Sequence, residues 1–212
     1  RGRPSAATTQ SRMAKLLETA REIFVLRGYR GTTMDDVAAA AGITKRTLYA
    51  HFESKEKLFL AVIELVRGLL LARVKLPAEY ADDRDEALVL FLGRFLEAVT
   101  WHRSVRMFHL SMEESQRFPD GAATFHEAIF GTVQTRLEAF LREHLKLSRK
   151  VAGKTASDLL GRVLHPRFTR ALFGLDMVTD EWLDDDHLSA QIDLAPIRTA
   201  LAELVPRKPA RK

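Results

Sequence analysis

Apolar residues return at spacings of three and four along almost the whole chain, and no clear stretch of alternating β-branched residues appears; this predicts an all-α protein. The first stripe runs through Met13, Leu16, Leu17, Ala20, Ile23 and Phe24, and the RGYRG that follows ends it with Gly28 just past the helix. A second, short helix opens at Thr33, whose hydroxyl can accept from the Asp36 backbone N–H, and it ends near Ala41. Asp35 and Asp36 lie in its first turn, where the positive helix end favours acids. Gly42 supplies the positive φ of a tight turn, Ile43 turns inward, and Thr44 caps a third helix reaching about Phe52. Two short capped helices joined by a glycine turn make a helix-turn-helix.

On the third helix Leu48 and Phe52 are four apart and face inward, which leaves Lys45, Arg46, Thr47, Tyr49 and His51 on the outer surface. A DNA major groove admits one α-helix, and this one carries donors in its first turn, where base edges come within reach. Lys45, Arg46 and Thr47 are therefore expected to read bases, with Tyr49 and His51 on phosphates. The capping residues Thr33 and Thr44 belong to the same candidate surface. Lys55 follows the cap Ser54 in the first turn of the next helix and is expected to meet another phosphate. Arg1 and Arg3, in RGRP, match the core of the AT-hook, which lays arginines in a narrow A·T minor groove; a basic leader without that role is the alternative.

Beyond Ser54 an apolar helix continues to about Lys75, roughly 30 Å long at about 1.5 Å per residue, until Pro77 breaks it. Leu88 to Val99 then form a helix ending near Trp101, and Val105, Phe108 and Met112 lie on another, closed by Pro119. A long helix from about Phe125 to Leu145 follows, then one over about Ala156 to Phe173 that Pro166 should kink, and a last one over about Pro196 to Leu204.

Charge sharpens this picture. Residues 1–75 hold 14 Lys/Arg against 7 Asp/Glu, so that although the chain is +5 in total, the remainder is slightly negative. The last seven residues, PRKPARK, carry four positive charges and read as a solvated tail. The chain has no cysteine, which excludes disulfides, thiolate metal sites and cysteine nucleophiles together. No apolar run is long enough for a membrane span, so a soluble cytoplasmic protein is expected. His102, His109 and Glu113, with His126 nearby, share a helical spacing but lack the order of a metalloprotease site; no metal is expected. No nucleophile elbow or phosphate-cradling glycine loop occurs, so neither an enzyme nor a cofactor is expected.

Thr33, AAAAGIT, LYAHF and SKEKLF, spread over residues 11–60, together resemble the signature of the tetracycline-repressor (TetR) family of bacterial transcriptional regulators. Arg46 departs from that pattern, because many members carry a small residue there. The resemblance implies a homodimer whose N-terminal domain binds operator DNA and whose larger helical domain binds an effector and dimerises. Residues 1–10 would then be a flexible basic arm, 11–60 the helix-turn-helix domain, 61–205 the effector-binding and dimerisation domain, and 206–212 a basic tail. The implied function is a repressor released from its operator by a small hydrophobic or amphipathic molecule. Candidate pocket residues are Phe91, Phe95, Trp101, Phe108, Met112, Phe125 and Phe168, and the expected dimer surface is Leu160, Leu164, Ile197, Leu201 and Leu204. A nonspecific architectural DNA-binding protein, and a helical ligand- or metal-binding enzyme, are the alternatives.

Overall fold

The computed structural model describes residues 6–176 and 187–205, and the regular structure among them is helical. Helix α1 spans Ala6–Gly31 and bends at Gly28 (φ 71°), α2 is Met34–Ala40, α3 is Lys45–His51 and α4 is Lys55–Arg73. After a single 3-10 turn come α5 (Arg84–Thr100), α6 (His102–Glu113) and α7 (Pro119–His126), and a π turn leads into α8 (Thr132–Leu145). The chain ends through α9 (Arg149–Leu164), α10 (Arg167–Leu172) and α11 (Ala195–Leu204). The helix expected over about Ala156 to Phe173 is thus two helices, divided at Pro166, which has no N–H to continue the ladder. Its start lies earlier, at Arg149, because Ser148 caps it by accepting from the Val151 N–H. No helix among the described residues is long and apolar enough to cross a membrane.

Two compact units result, and they are not sequential. One is built from the chain up to Leu69 together with His109–Ala128, the other from Leu70–Phe108 together with the chain from Ile129 onward. A single boundary after residue 60 was expected from the sequence, and the structure differs because the segment around α7 completes the core of the first unit. Phe118 packs edge-on against Tyr29 with ring centroids 4.7 Å apart, and Gly121 lies so close to Leu60 that an added Cβ would sit 3.6 Å from it. Helix α4 changes unit after Leu69 and α6 after Phe108.

The first unit is organised around an aromatic knot in which Phe24 and Tyr29 each pack against Phe59 at 5.2 and 5.3 Å. Leu48 is the one residue of α3 that is buried, and it is buried completely. Lys55, expected on a phosphate, is turned inward instead. Its ammonium donates to the backbone carbonyls of Tyr29 and Thr32, both at 2.8 Å, and lies 4.4 Å from the centre of the Tyr29 ring. Burial, reinforced by the charge of Arg117 and opposed by that of Glu114, lowers its pKa below the ordinary lysine value. The lysine therefore ties the end of α1 and the residue just beyond it to the start of α4, giving a donor to the Tyr29 carbonyl in the last turn of α1 and to that of Thr32.

In the second unit α5 is buried almost all round. Gly93 makes this close packing feasible, since a Cβ there would lie 2.7 Å from the Leu194 side chain. Within this apolar setting Arg94 donates to Glu97 at 2.7 Å, with side chains 2% and 0% exposed, and Glu97 also accepts from the Ser189 backbone N–H at 3.0 Å. Helix α9 packs on α8 and α11, and α11 on α5.

Replacing Thr44 by Ala removes the α3 cap and should cost about 1 kcal/mol, lowering Tm by about 2–4 °C, while Thr44→Asn should retain most of the stability. Lys55→Met takes the ammonium from the Thr32 carbonyl and leaves that of Tyr29 with only the Thr32 N–H at 3.4 Å, and should cost about 1–3 kcal/mol in denaturant unfolding. Any DNA binding by that variant should keep its salt dependence; a salt slope smaller by about one with unchanged stability would return Lys55 to the phosphate role.

Candidate nucleic-acid interface

Helix α3 is about 10 Å long at about 1.5 Å per residue, and it can lie within a major groove about 12 Å wide. Leu48 fixes its rotation, so Lys45, Arg46, Thr47, Tyr49 and His51 are all exposed. Both neighbouring caps are formed as the residue types require. The Thr44 hydroxyl accepts from the Thr47 N–H at 3.1 Å and lies 2.8 Å from the Thr47 hydroxyl. The Thr33 hydroxyl accepts from the Asp36 N–H at 3.1 Å, and Asp36 in turn accepts from the Thr33 hydroxyl at 2.6 Å and from its N–H at 2.9 Å. These bonds, with Arg27 at 2.9 Å, hold the Asp36 carboxyl below its usual pKa. Thr33 thus has its hydroxyl proton engaged within the cap, and a contact from it to DNA has to use the oxygen's second acceptor site or exchange that bond.

The two flanks of α3 differ. On one, the Lys45 ammonium sits 2.9 and 3.0 Å from the two carboxylate oxygens of Asp35 on α2, an arrangement that raises its pKa through the hydrogen bond and the charge of Asp35. On the other, Thr47 and His51 border an open groove of about 670 Å³ whose far wall is α1, with Arg12, Lys15 and Thr19 above an apolar floor of Met13, Leu16 and Ile43. Arg46 is also exposed. Sequence reasoning missed Arg12 and Lys15, although they fall on the polar side of the α1 stripe, and it gave Asp35 only a helix-end role. Lys55 lies away from this surface in its inward clamp. Arg1 and Arg3 lie outside the described residues.

The candidate pocket residues are divided between the two units. Phe91, Phe95, Phe108 and Phe168 are buried in the second unit, where Phe95, Phe108 and Phe168 join Phe130 in a cluster with centroids 5.0–5.9 Å apart. Trp101, in the same unit, is covered by the guanidinium of Arg73 at 4.8 Å. Met112 and Phe125 belong to the first unit, Met112 being 53% exposed and Phe125 buried. The buried Arg94–Glu97 pair is the polar feature that sequence reasoning overlooked; two opposite charges three apart inside an apolar helix were its signal.

The expected dimer residues also differ in position. Leu160, Ile197 and Leu201 are buried within this single chain, and Leu164 and Leu204 are half-buried. Leu160, Ile197 and Leu201 thus fill the protomer's own core, whereas Leu164 and Leu204 keep part of their surface open. The reason is physical: an apolar stripe marks what a helix buries, not against which chain. The outward faces of the same two helices carry the small residues Ser157 and Gly161 on α9 and Thr199 and Ala202 on α11 beside charged ones, among them Arg162, which pairs with Glu203 across the two helices at 2.5 Å. No group of three or more His, Cys, Asp or Glu suited to a metal ion occurs among the described residues.

Residues 16–62 match the family model described as bacterial regulatory proteins, tetR family, and residues 86–195 match that of the AefR-like transcriptional repressor C-terminal domain. The HTH-type transcriptional repressor KstR2 of Mycobacterium tuberculosis (strain ATCC 25618 / H37Rv) is 37% identical over 116 residues, 53% of this chain and 55% of that one, so the chain spans about half the length of this curated relative. Two solved structures share the fold over 92% of this chain. One, described as a TetR-family transcriptional regulator from Mesorhizobium loti MAFF303099, has a TM-score of 0.73 at 21% identity over 97% of its own length. The other, the flavonoid-responsive regulator FrrA, has a TM-score of 0.72 at 26% identity over 96% of its length. With a helix-turn-helix at its start and the second model covering more than half of its length, the chain belongs to the tetR family of bacterial regulatory proteins.

Proposed function

We propose that the protein is a transcriptional repressor that binds operator DNA as a homodimer in the cytoplasm and is released by a small hydrophobic or amphipathic effector held in the second unit. The observation that supports this reading above all is the exposed polar surface of α3, whose orientation is fixed by one buried leucine and two formed caps. KstR2 bears the name of a repressor and FrrA that of a flavonoid-responsive regulator, which makes flavonoids the first compounds to try. The aromatic cluster around Phe108 and Phe168 would offer such a molecule apolar walls. Because α4 and α6 each take part in both units, ligand-dependent movement of either helix would change how α3 is presented.

Selection from randomised duplexes followed by fluorescence anisotropy tests the DNA reading. Enrichment of a site with two half-sites is expected, and failure to enrich any sequence would contradict it. A compound found by thermal shift should bind less tightly when the selected duplex is present, by about five- to 150-fold, because coupling is reciprocal. Equal affinities would remove the inducer role.

The outward faces of α9 and α11 are the proposed dimer surface, where Gly161 and Ala202 leave room for a second helix pair beside the Arg162–Glu203 ion pair. Gly161 is the cleanest place to test it, since a Cβ there meets nothing within 4 Å in the protomer. Gly161→Arg should leave the protomer folded but shift light scattering from dimer to monomer and abolish two-half-site binding. A variant that remains dimeric would place the interface elsewhere.

A further inference from the structure

We propose that Asp35 is a specificity-determining residue of the DNA interface: it withholds the charge of Lys45 from phosphates and releases it productively only at a G·C base pair. The inference rests on the DNA-binding reading above. Its starting point is that the first residue of the recognition helix is already engaged by a neighbour, with the ammonium between both oxygens of one carboxylate at 2.9 and 3.0 Å.

Asp35 has no comparable part in holding the fold. Its neighbour Asp36 closes the α2 cap and pairs with Arg27. The Asp35 and Lys45 side chains are 64% and 59% exposed, and ion pairs so open to solvent add little to stability. Their consequence lies in what the surface offers to DNA. A free lysine would contribute one phosphate contact and steepen the salt slope by about 0.9 on any duplex. The Lys45–Asp35 pair as a whole carries no net charge, and pulling the ammonium away onto a phosphate would leave a carboxylate facing a polyanion.

A G·C pair removes that conflict. In the major groove guanine O6 and N7 accept from the ammonium, while the N4 amino group of the paired cytosine donates to the carboxylate. Both members of the pair then keep a partner. An A·T pair sets its N6 donor between the adenine N7 and thymine O4 acceptors, so the ammonium reaches one acceptor there where guanine offers two adjacent ones, and a phosphate offers only acceptors. Asp35 thereby penalises indiscriminate contacts and rewards one base pair, which separates specific from nonspecific affinity.

Asp35→Asn keeps the shape and removes the charge, and Lys45→Met removes the ammonium. The wild type, both single variants and the double variant are titrated, over a range of salt, against a duplex enriched by the wild type and a scrambled duplex of the same composition. Thermal melts check that each variant is folded. Asp35→Asn should bind the scrambled duplex more tightly, with a salt slope steeper by about 0.9, and should lose about five- to 150-fold in preference for the enriched duplex. In the Lys45→Met background the same change should leave the slope unaltered. Repeating the selection with Asp35→Asn should relax a G·C position in each half-site. Equal effects on both duplexes, or an effect that persists without Lys45, would overturn the proposal. If the wild type enriches no sequence, the DNA reading falls and this proposal with it; if it enriches one and Asp35→Asn shifts both duplexes alike, this proposal alone falls.

Discussion

A helix of seven residues does not hold itself together in water, and that is the constraint on which the DNA-facing unit depends. Isolated helices shorter than about 12–15 residues are marginal, because nucleation fixes several residues for each early hydrogen bond. Helix α3 therefore borrows its order from outside. Leu48 is fully buried, Thr44 closes its first turn, and the aromatic knot of Phe24, Tyr29 and Phe59 keeps α1 and α4 in place. Lys55 belongs to that support, since it fastens the carbonyls at the end of α1 from the first residue of α4. A polar reading surface can be exposed on so short an element only because its scaffold is rigid.

That arrangement explains which features were legible in the sequence. Caps and turns are local: Thr33, Gly42 and Thr44 act on atoms within a few residues, so their chemistry is visible in the order of residues alone. The structure gives Gly42 a φ of 65° and forms both caps as expected. The inward bonds of Lys55 could not be read from the sequence, because its acceptors lie 26 and 23 residues away. The same limit governs the long-range packing. The apolar stripes of α9 and α11 announced that Leu160 and Leu201 would be buried, but the partner proved to be their own chain. Likewise Phe118 could not reveal that it would rest on Tyr29.

Electrostatics divides the molecule along a different line. Near α3 the acids restrain the bases: Asp35 holds Lys45 and Asp36 holds Arg27. The candidate interface is accordingly less indiscriminately cationic than its count of Lys and Arg suggests. In the second unit an ion pair is buried in α5, where Arg94 donates to Glu97 and Glu97 also accepts from the Ser189 backbone amide. Breaking such a pair leaves a buried charge without its counterpart, so it constrains any ligand that enters this core.

Dimethyl sulfate methylates guanine N7 in the major groove and adenine N3 in the minor groove, and it reports directly on where α3 docks. On a duplex selected by the protein, the account predicts N7 protection in two clusters separated by one helical turn, about 34–36 Å, or a multiple of it. Protection confined to adenine N3, or none at saturating protein, would contradict it.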